Sequence, residues 1–404
     1  MSKRIIIIVS FIIVIILALG VLLIIKRNRA QTPAPVVTTT NSFGKVSGNI
    51  AVQKPTTSTS TATAFGNNTK QPNLVQITNT SSADGVFVQN KSGANVMFVD
   101  RTTGNTFSFN TLGRFLTRIT NTTLPNISHS FFANNGATVI LQSVDENDNI
   151  NTYSAQFVPT KTASTTKVSE IGLLGSFLPK NIEVFAVSPS TNKIFYLVPQ
   201  NGGVDGFIAN PDNSHVVKIF NAPLKEWLVS WPNESTIILT TKPSNNVAGH
   251  SYSLNTKTGS MSEIIGDITG LTVSMNSTLT QLAYSDDTNA LNILYTKDNS
   301  VVHTSVSTLA EKCVWSKKTV NTLYCAVPNS IASASYPDAW YQGLVTFTDS
   351  IYKINTQTGT AQIVSRPFEE FTQSIDATNL SLSSNEDYLL FTNKKDYTLW
   401  SLGL

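Results

Sequence analysis

Two cysteines, Cys313 and Cys325, flank a turn centred near Thr319. On successive antiparallel strands this spacing sets them opposite one another. A cross-strand disulfide can form there if they make the closer kind of pair, in an oxidising compartment. The alternative is a pair of buried free thiols packed as small apolar groups. A second concentration of useful side chains lies in 327–349, the longest break between strand-like runs: Tyr336, Asp338, Trp340 and Tyr341, with Phe347 following. Long loops on rigid scaffolds often carry function, and Tyr and Trp suit recognition hot spots. These four are therefore the candidate ligand- or partner-binding residues. The competing outcome is that the aromatics fold back and plug a hole or cover a sheet edge.

Other polar groups offer less. Asp145-Glu146-Asn147-Asp148-Asn149 supplies oxygen ligands of the calcium kind but lacks the spacing and distal Glu of a calcium loop, so a hairpin turn is expected. His129, His215, His250 and His303 have no metal-ligand spacing, and two cysteines exclude a zinc site with four cysteine ligands. Glu311-Lys312 and Glu369-Glu370 read as solvated faces. No nucleophile elbow, HExxH pair, P-loop or dinucleotide fingerprint occurs. No catalytic residue, metal or cofactor is assigned. Net charge is +3 with the basic residues scattered, which speaks against nucleic acid as a partner.

The elements that must position these groups are short. From 184 to 220 the chain reads as four strands: Val184-Phe185-Ala186-Val187, then Ile194 to Val198, then Gly206-Phe207-Ile208, then Val216 to Phe220, with turn residues between. Similar units recur. One recurring signal is a turn between two strands near the start of each unit, as in Phe131 to Leu141 and Val229 to Leu239. Another is Asp/Asn-x-x-Thr-Gly at Asp100 to Gly104, Asn255 to Gly259 and Asn355 to Gly359, whose Gly suits a positive-φ hairpin position. Units fall near 84–120, 127–172, 182–220, 226–265, 270–307, 311–364 and 379–402, each about the ~40–50 residues of a four-stranded propeller blade. The last offers three strands, and Leu74 to Thr78 could add the fourth, closing the ring and removing a sheet edge. Trp231, Trp315 and Trp400 fall in the repeat pattern as core. A pair of β-sandwiches is the competing architecture.

The first signal resembles the Ser-Pro-Asp-Gly turn of TolB-type, WD40-like propeller repeats. The match is best at Ser188-Pro189-Ser190-Thr191-Asn192, which lacks the Asp and the Gly, and the Trp-Asp and Gly-His signatures of WD40 repeats are absent. The segments 119–155 and 336–349 are also similar to membrane-anchored bacterial propeller proteins of unknown function. The resemblance spans about 73–404 and implies fold rather than activity.

Ahead of the repeats, Ile5 to Ile25 is apolar except for Ser10 and Gly20. At ~1.5 Å per residue such a helix spans the roughly 30 Å bilayer core. Lys26-Arg27-Asn28-Arg29 follows without a clear small-x-small cleavage site, so an uncleaved single-pass anchor within 1–30 is expected. Basic residues on both sides leave its orientation open. Residues 31–72 are rich in Thr, Ser, Pro and Ala with no acidic residue, a composition too poor in apolar surface to offset ordering entropy. As a flexible coil this stalk would hold a domain roughly 30–40 Å from the bilayer.

The expected molecule is thus all-β, a seven-bladed propeller at 73–404 carried on a Thr/Ser/Pro-rich linker from a transmembrane helix. Its expected role is a binding or scaffold module at the cell envelope, with the domain extracytoplasmic, the lipid bilayer as one partner and an envelope protein as another. An envelope hydrolase or lyase with its site in the propeller channel is the alternative.

Overall fold

The middle strands of the repeats are apolar on both faces: Val139-Ile140-Leu141, Phe195-Tyr196-Leu197, Ile237-Ile238-Leu239 and Leu389-Leu390-Phe391 are all buried. A strand that shows one face to water alternates; a run without alternation must be covered on both sides. In the computed structural model, which describes residues 74–90, 93–159 and 171–404, the cover on each side is a neighbouring sheet. The described residues form seven four-stranded antiparallel sheets. They span 82–118, 127–177, 184–222, 227–269, 272–307 and 313–365, with the seventh built from 377–403 plus Leu74–Gln76. These are blades 1 to 7. The first strand of each touches the first strand of the next, and blade 7 returns to blade 1, so the seven first strands encircle a channel. The segments read as membrane anchor and stalk lie outside the described residues. Among the described residues no helix is long and apolar enough to cross a membrane.

Packing follows the ring. Each seam between neighbouring blades holds its own apolar cluster, from Val99 against Val139 between blades 1 and 2 to Leu399 against Phe98 between blades 7 and 1. Trp231, Trp315 and Trp400 sit in three of these seams. The seventh blade closes as expected: Leu74 pairs with Leu402, Val75 with Ser401 and Gln76 with Trp400, making the N-terminal strand the outer member of the C-terminal blade.

The Asp/Asn-x-x-Thr-Gly turns have a common physics. In the copy at Asn355, its side-chain oxygen accepts from the N–H groups of Gln357 and Thr358, and Gly359 donates to its carbonyl. Gly359 has φ +72, where an L side chain is strained, and a Cβ there would lie 2.2 Å from the His303 carbonyl oxygen of the blade before. Gly202 also has positive φ but nothing within 4 Å. Gly359→Ala is expected to cost about 1–3 kcal/mol and Gly202→Ala about 1 kcal/mol or less, read from urea midpoints. Equal costs would mean that the contact between blades contributes nothing.

Candidate functional site

The loop 329–348 leaves blade 6 between strands Thr322–Pro328 and Asp349–Asn355 and turns inward over the end of the channel where the first strands begin. Its aromatics make a small core of their own. Tyr336, Trp340 and Phe347 are buried around Leu309, with Phe347 stacked on both Tyr336 and Trp340. A helical turn, Asp338–Tyr341, aims Trp340 at the channel. Asp338 accepts from the Asn245 N–H at 2.7 Å, which ties the loop to blade 4.

Beneath the loop lies a charge cluster that the sequence hides. Glu311-Lys312, read above as a solvated face, is not one. Lys312 is completely buried; its ammonium donates to Asp349 Oδ2 at 2.8 Å and to Asp376 Oδ1. Burial of a charge is tolerated only when it is paired, and here one ammonium faces two carboxylates. Asp376 Oδ2 also accepts from Trp340 Nε1 and from the Phe347 N–H, both at 3.0 Å, so it joins loop, cation and blade 7. Lys394 closes the other side, donating to the Trp340 carbonyl at 2.7 Å and lying over its ring. Burial lowers its pKa, opposed by Asp376. Burial pushes Asp349 up to about 6; the Lys312 charge opposes this and the neighbouring Asp376 adds to it.

Above this cluster the channel opens into a cavity of about 570 Å³ between the first strands of blades 4 to 7. Its wall includes Leu228, Trp231, Val273, Met275, Asn379 and Leu380, together with Trp340 and Glu311. A mostly apolar recess of this size with a few polar groups is the usual form of a ligand site. Glu311 is the one ionisable side chain in the wall, since Cys313, which also borders it, is bonded to Cys325. Glu311 keeps partial access to the cavity as a residue, yet its Oε1 has no solvent contact and no hydrogen-bond partner. The Tyr341 hydroxyl is the polar group that faces the carboxyl, close enough to interact with it, though no hydrogen bond of ordinary geometry joins the two. Burial raises Glu311 to about 7, against the smaller opposing effects of Tyr341, Lys312 and Lys394.

Raised carboxyl values fix a sign. The folded state holds the Glu311 proton more tightly than the unfolded chain, so its contribution is fully present below about pH 4.5 and is lost as pH rises through about 7. Glu311→Gln, which cannot ionise, is expected to match the wild type at pH 4.5 and to exceed it by roughly 2–3 kcal/mol at pH 8. Urea titrations at the two pH values check this; a constant difference would show that the carboxyl is not held in a dry site.

Of the sequence-selected residues, the loop gathers Tyr336, Trp340 and Tyr341 into one body, with only Trp340 on the cavity wall, and Asp338 serves the tie to blade 4. Cys313 and Cys325 pair in register on the first two strands of blade 6, with Cα atoms 4.1 Å apart and their sulfurs bonded. The Asp145 run is a hairpin turn whose carboxylate is engaged by the N–H groups of Asn147 and Asn149. The four histidines lie in four different blades or their turns, and among the described residues no group of three or more His, Cys, Asp or Glu could hold a metal ion. Glu311, Lys312, Asp349, Asp376 and Lys394 were not singled out as site residues from sequence. The one signal was a lone Asp at the start of an apolar strand, at Asp349 and again at Asp376, where no turn needed it.

Fold and cavity together define a seven-bladed β-propeller whose channel is plugged at one end by a blade-6 loop. Among solved structures it is similar to an oligogalacturonate lyase in complex with manganese, at 11% identity and TM-score 0.51, covering 82% of this chain and 93% of that one. It is also similar to a virginiamycin B lyase from Staphylococcus aureus, at 12% identity and TM-score 0.49, covering 82% and 98%. The tricorn protease matches at 9% identity and TM-score 0.48 over 80% of this chain, which spans about a third (34%) of that protein's length. At such identities the likeness concerns fold alone. No family model and no curated protein matches the sequence.

Proposed function

We propose that this propeller is a binding module, tethered to a membrane by the apolar segment 5–25 and the 31–72 stalk, that takes its ligand or partner in the channel cavity of blades 4 to 7. The observation that carries this reading is the cavity wall: apolar and neutral polar side chains, two indoles, and the single ionisable group Glu311. Such a wall is built for contact and desolvation. Acid–base chemistry usually calls for two converging titratable groups, each poised for its own step. The ring supports the role by holding the wall rigid, so little ordering cost falls on binding. An extracytoplasmic domain agrees with the Cys313–Cys325 disulfide, since such bonds persist in oxidising compartments.

The test is a photoactivatable residue placed at Asn379, on the wall, and at exposed Val144 on blade 2, in the full-length chain within intact cells. Adducts from 379 alone, recovered in the membrane fraction and abolished by Trp231→Ala, are expected. Equal labelling from both positions, or a chain found free of membranes, would end the reading. An envelope hydrolase or lyase is favoured by the burial of Glu311 at the cavity wall, which pushes its carboxyl up to about 7, into the range of a general acid or base. Turnover of the captured ligand that disappears in Glu311→Gln would decide for it.

A further inference from the structure

With every carboxyl ionised, the groups at and behind the cavity wall carry one more negative than positive charge. Glu311 stands on its wall; the other carboxylates, Asp349 and Asp376, are completely buried behind it with Lys312, and Lys394 lies by Trp340. Lys312 contacts both aspartates, and Lys394 is held to the Trp340 carbonyl with Asp376 nearby. The groups that face Glu311 are Tyr341 from the loop, Lys312 from its own segment and Lys394 from blade 7. Neither lysine makes an ion pair with it; the Tyr341 hydroxyl is its one neutral polar neighbour, and no cation offsets its charge at contact distance. Asp338 on the loop adds further negative charge, satisfied only by a backbone N–H. An isolated buried carboxylate is costly, and a cation that enters beside it recovers that cost.

The remaining wall narrows the cation. Leu228, Val273, Met275 and Leu380 give the wall an apolar stretch suited to methylene groups. Trp231 borders the cavity from the seam of blades 3 and 4, and among the described residues no cation lies over its ring, whereas the Trp340 ring already has Lys312 and Lys394 over it. A compact ammonium on an alkyl stem can place its head at Glu311 while its stem lies along the aliphatic wall and Trp231. We infer that the channel cavity binds a primary alkylammonium group through Glu311 and Trp231, either of a small amine or of a lysine side chain on a partner. This rests on the proposed binding role and gives the ligand its chemical class.

Calorimetry on the full-length chain in detergent tests it, with n-butylammonium, Nα-acetyl-lysine methylamide and the uncharged Nα-acetyl-norleucine methylamide. At pH 8, where Glu311 is ionised and the amines are charged, an amine probe should bind at least about tenfold more tightly than norleucine. At pH 5.5, with the carboxyl protonated, that preference should vanish, and Glu311→Gln should abolish it at pH 8. Stronger binding of n-butylammonium would indicate a free amine; stronger binding of the lysine compound, a protein side chain. Equal binding of norleucine and lysine probes, or a preference surviving in Glu311→Gln, overturns the amine assignment and leaves a binding cavity of other chemistry. No binding of any probe overturns it as well, while labelling from position 379 still decides separately whether the cavity is occupied in cells.

Discussion

Deleting residues 74–78 is expected to lower the melting temperature by about 10 °C or more. Only three of these residues form the strand, but the loss reaches further. Leu74 and Ile77 are buried in the seams on either side of blade 7, and full burial of each such side chain contributes about 1.5–3 kcal/mol. Ile77 donates its N–H to the Leu399 carbonyl, and the Thr78 hydroxyl oxygen accepts from the Leu399 N–H. Without the strand, the outward edge of Leu399–Gly403 faces water along with Trp400 and Leu402 beside it. The sum is about 5 kcal/mol, a large part of the stability of an ordinary domain, and at roughly 2–4 °C per kcal/mol it gives the shift stated. Calorimetric scans of the intact and deleted chains measure it. An unchanged transition would mean that the ring holds through its other seams and that the terminal strand is an ornament.

That closure was legible in the sequence because a propeller announces its own deficit. A final unit with three strands leaves an edge, and the unassigned strand-like run just before the first blade lay at Leu74 to Thr78. The blade limits were legible for a related reason. Apolar runs such as Phe195 to Leu197 are bounded by Asn, Gly and Pro, and the Asn255 and Asn355 turns fix where one strand must stop. The cysteines could be placed opposite one another because a short hairpin determines its own register. The floor of the channel was not legible. Lys312 follows Glu311 in a pattern that usually means a wet surface, and its two partners lie 37 and 64 residues further along. Nothing local marks Asp349 or Asp376 as its counter-ions; only ring geometry brings the start of blade 6, the end of its loop and the start of blade 7 together. Trp340 shows the same limit. Its type suggested recognition, but the side chain reaches the cavity only because Asp376 and Lys394, both in blade 7, hold it there.

Lys312→Met is expected to be the most damaging single substitution in the domain, and the damage should depend on pH in a defined direction. Methionine matches the length of the lysine stem, so little packing is lost, and it removes the one charge between Asp349 and Asp376. Removing one partner from a buried ion pair typically costs 3–5 kcal/mol, because the remaining charge is uncompensated. Here two carboxylates remain, both completely buried. Asp349 is already raised to about 6 with Lys312 present; without the opposing Lys312 charge it should hold its proton to higher pH in the folded state. A carboxyl raised on folding contributes its stability below its unfolded value and loses it as pH rises. The variant should therefore approach the wild type near pH 4 and fall furthest behind above pH 7. Asp376→Asn should be milder, since the amide oxygen can still accept from Trp340 Nε1 and the Phe347 N–H, and Lys312 then faces a single carboxylate, Asp349. Combining Lys312→Met with Asp349→Asn and Asp376→Asn removes these three charges and should leave only the pH dependence that Glu311 contributes between 4 and 8. Denaturant midpoints for these variants at pH 4 and pH 8 give the answer. If Lys312→Met alone is as stable as the wild type at pH 8, the cluster is not what pins the loop over the channel, and Trp340 must be held by its apolar contacts with Phe347 and Leu309.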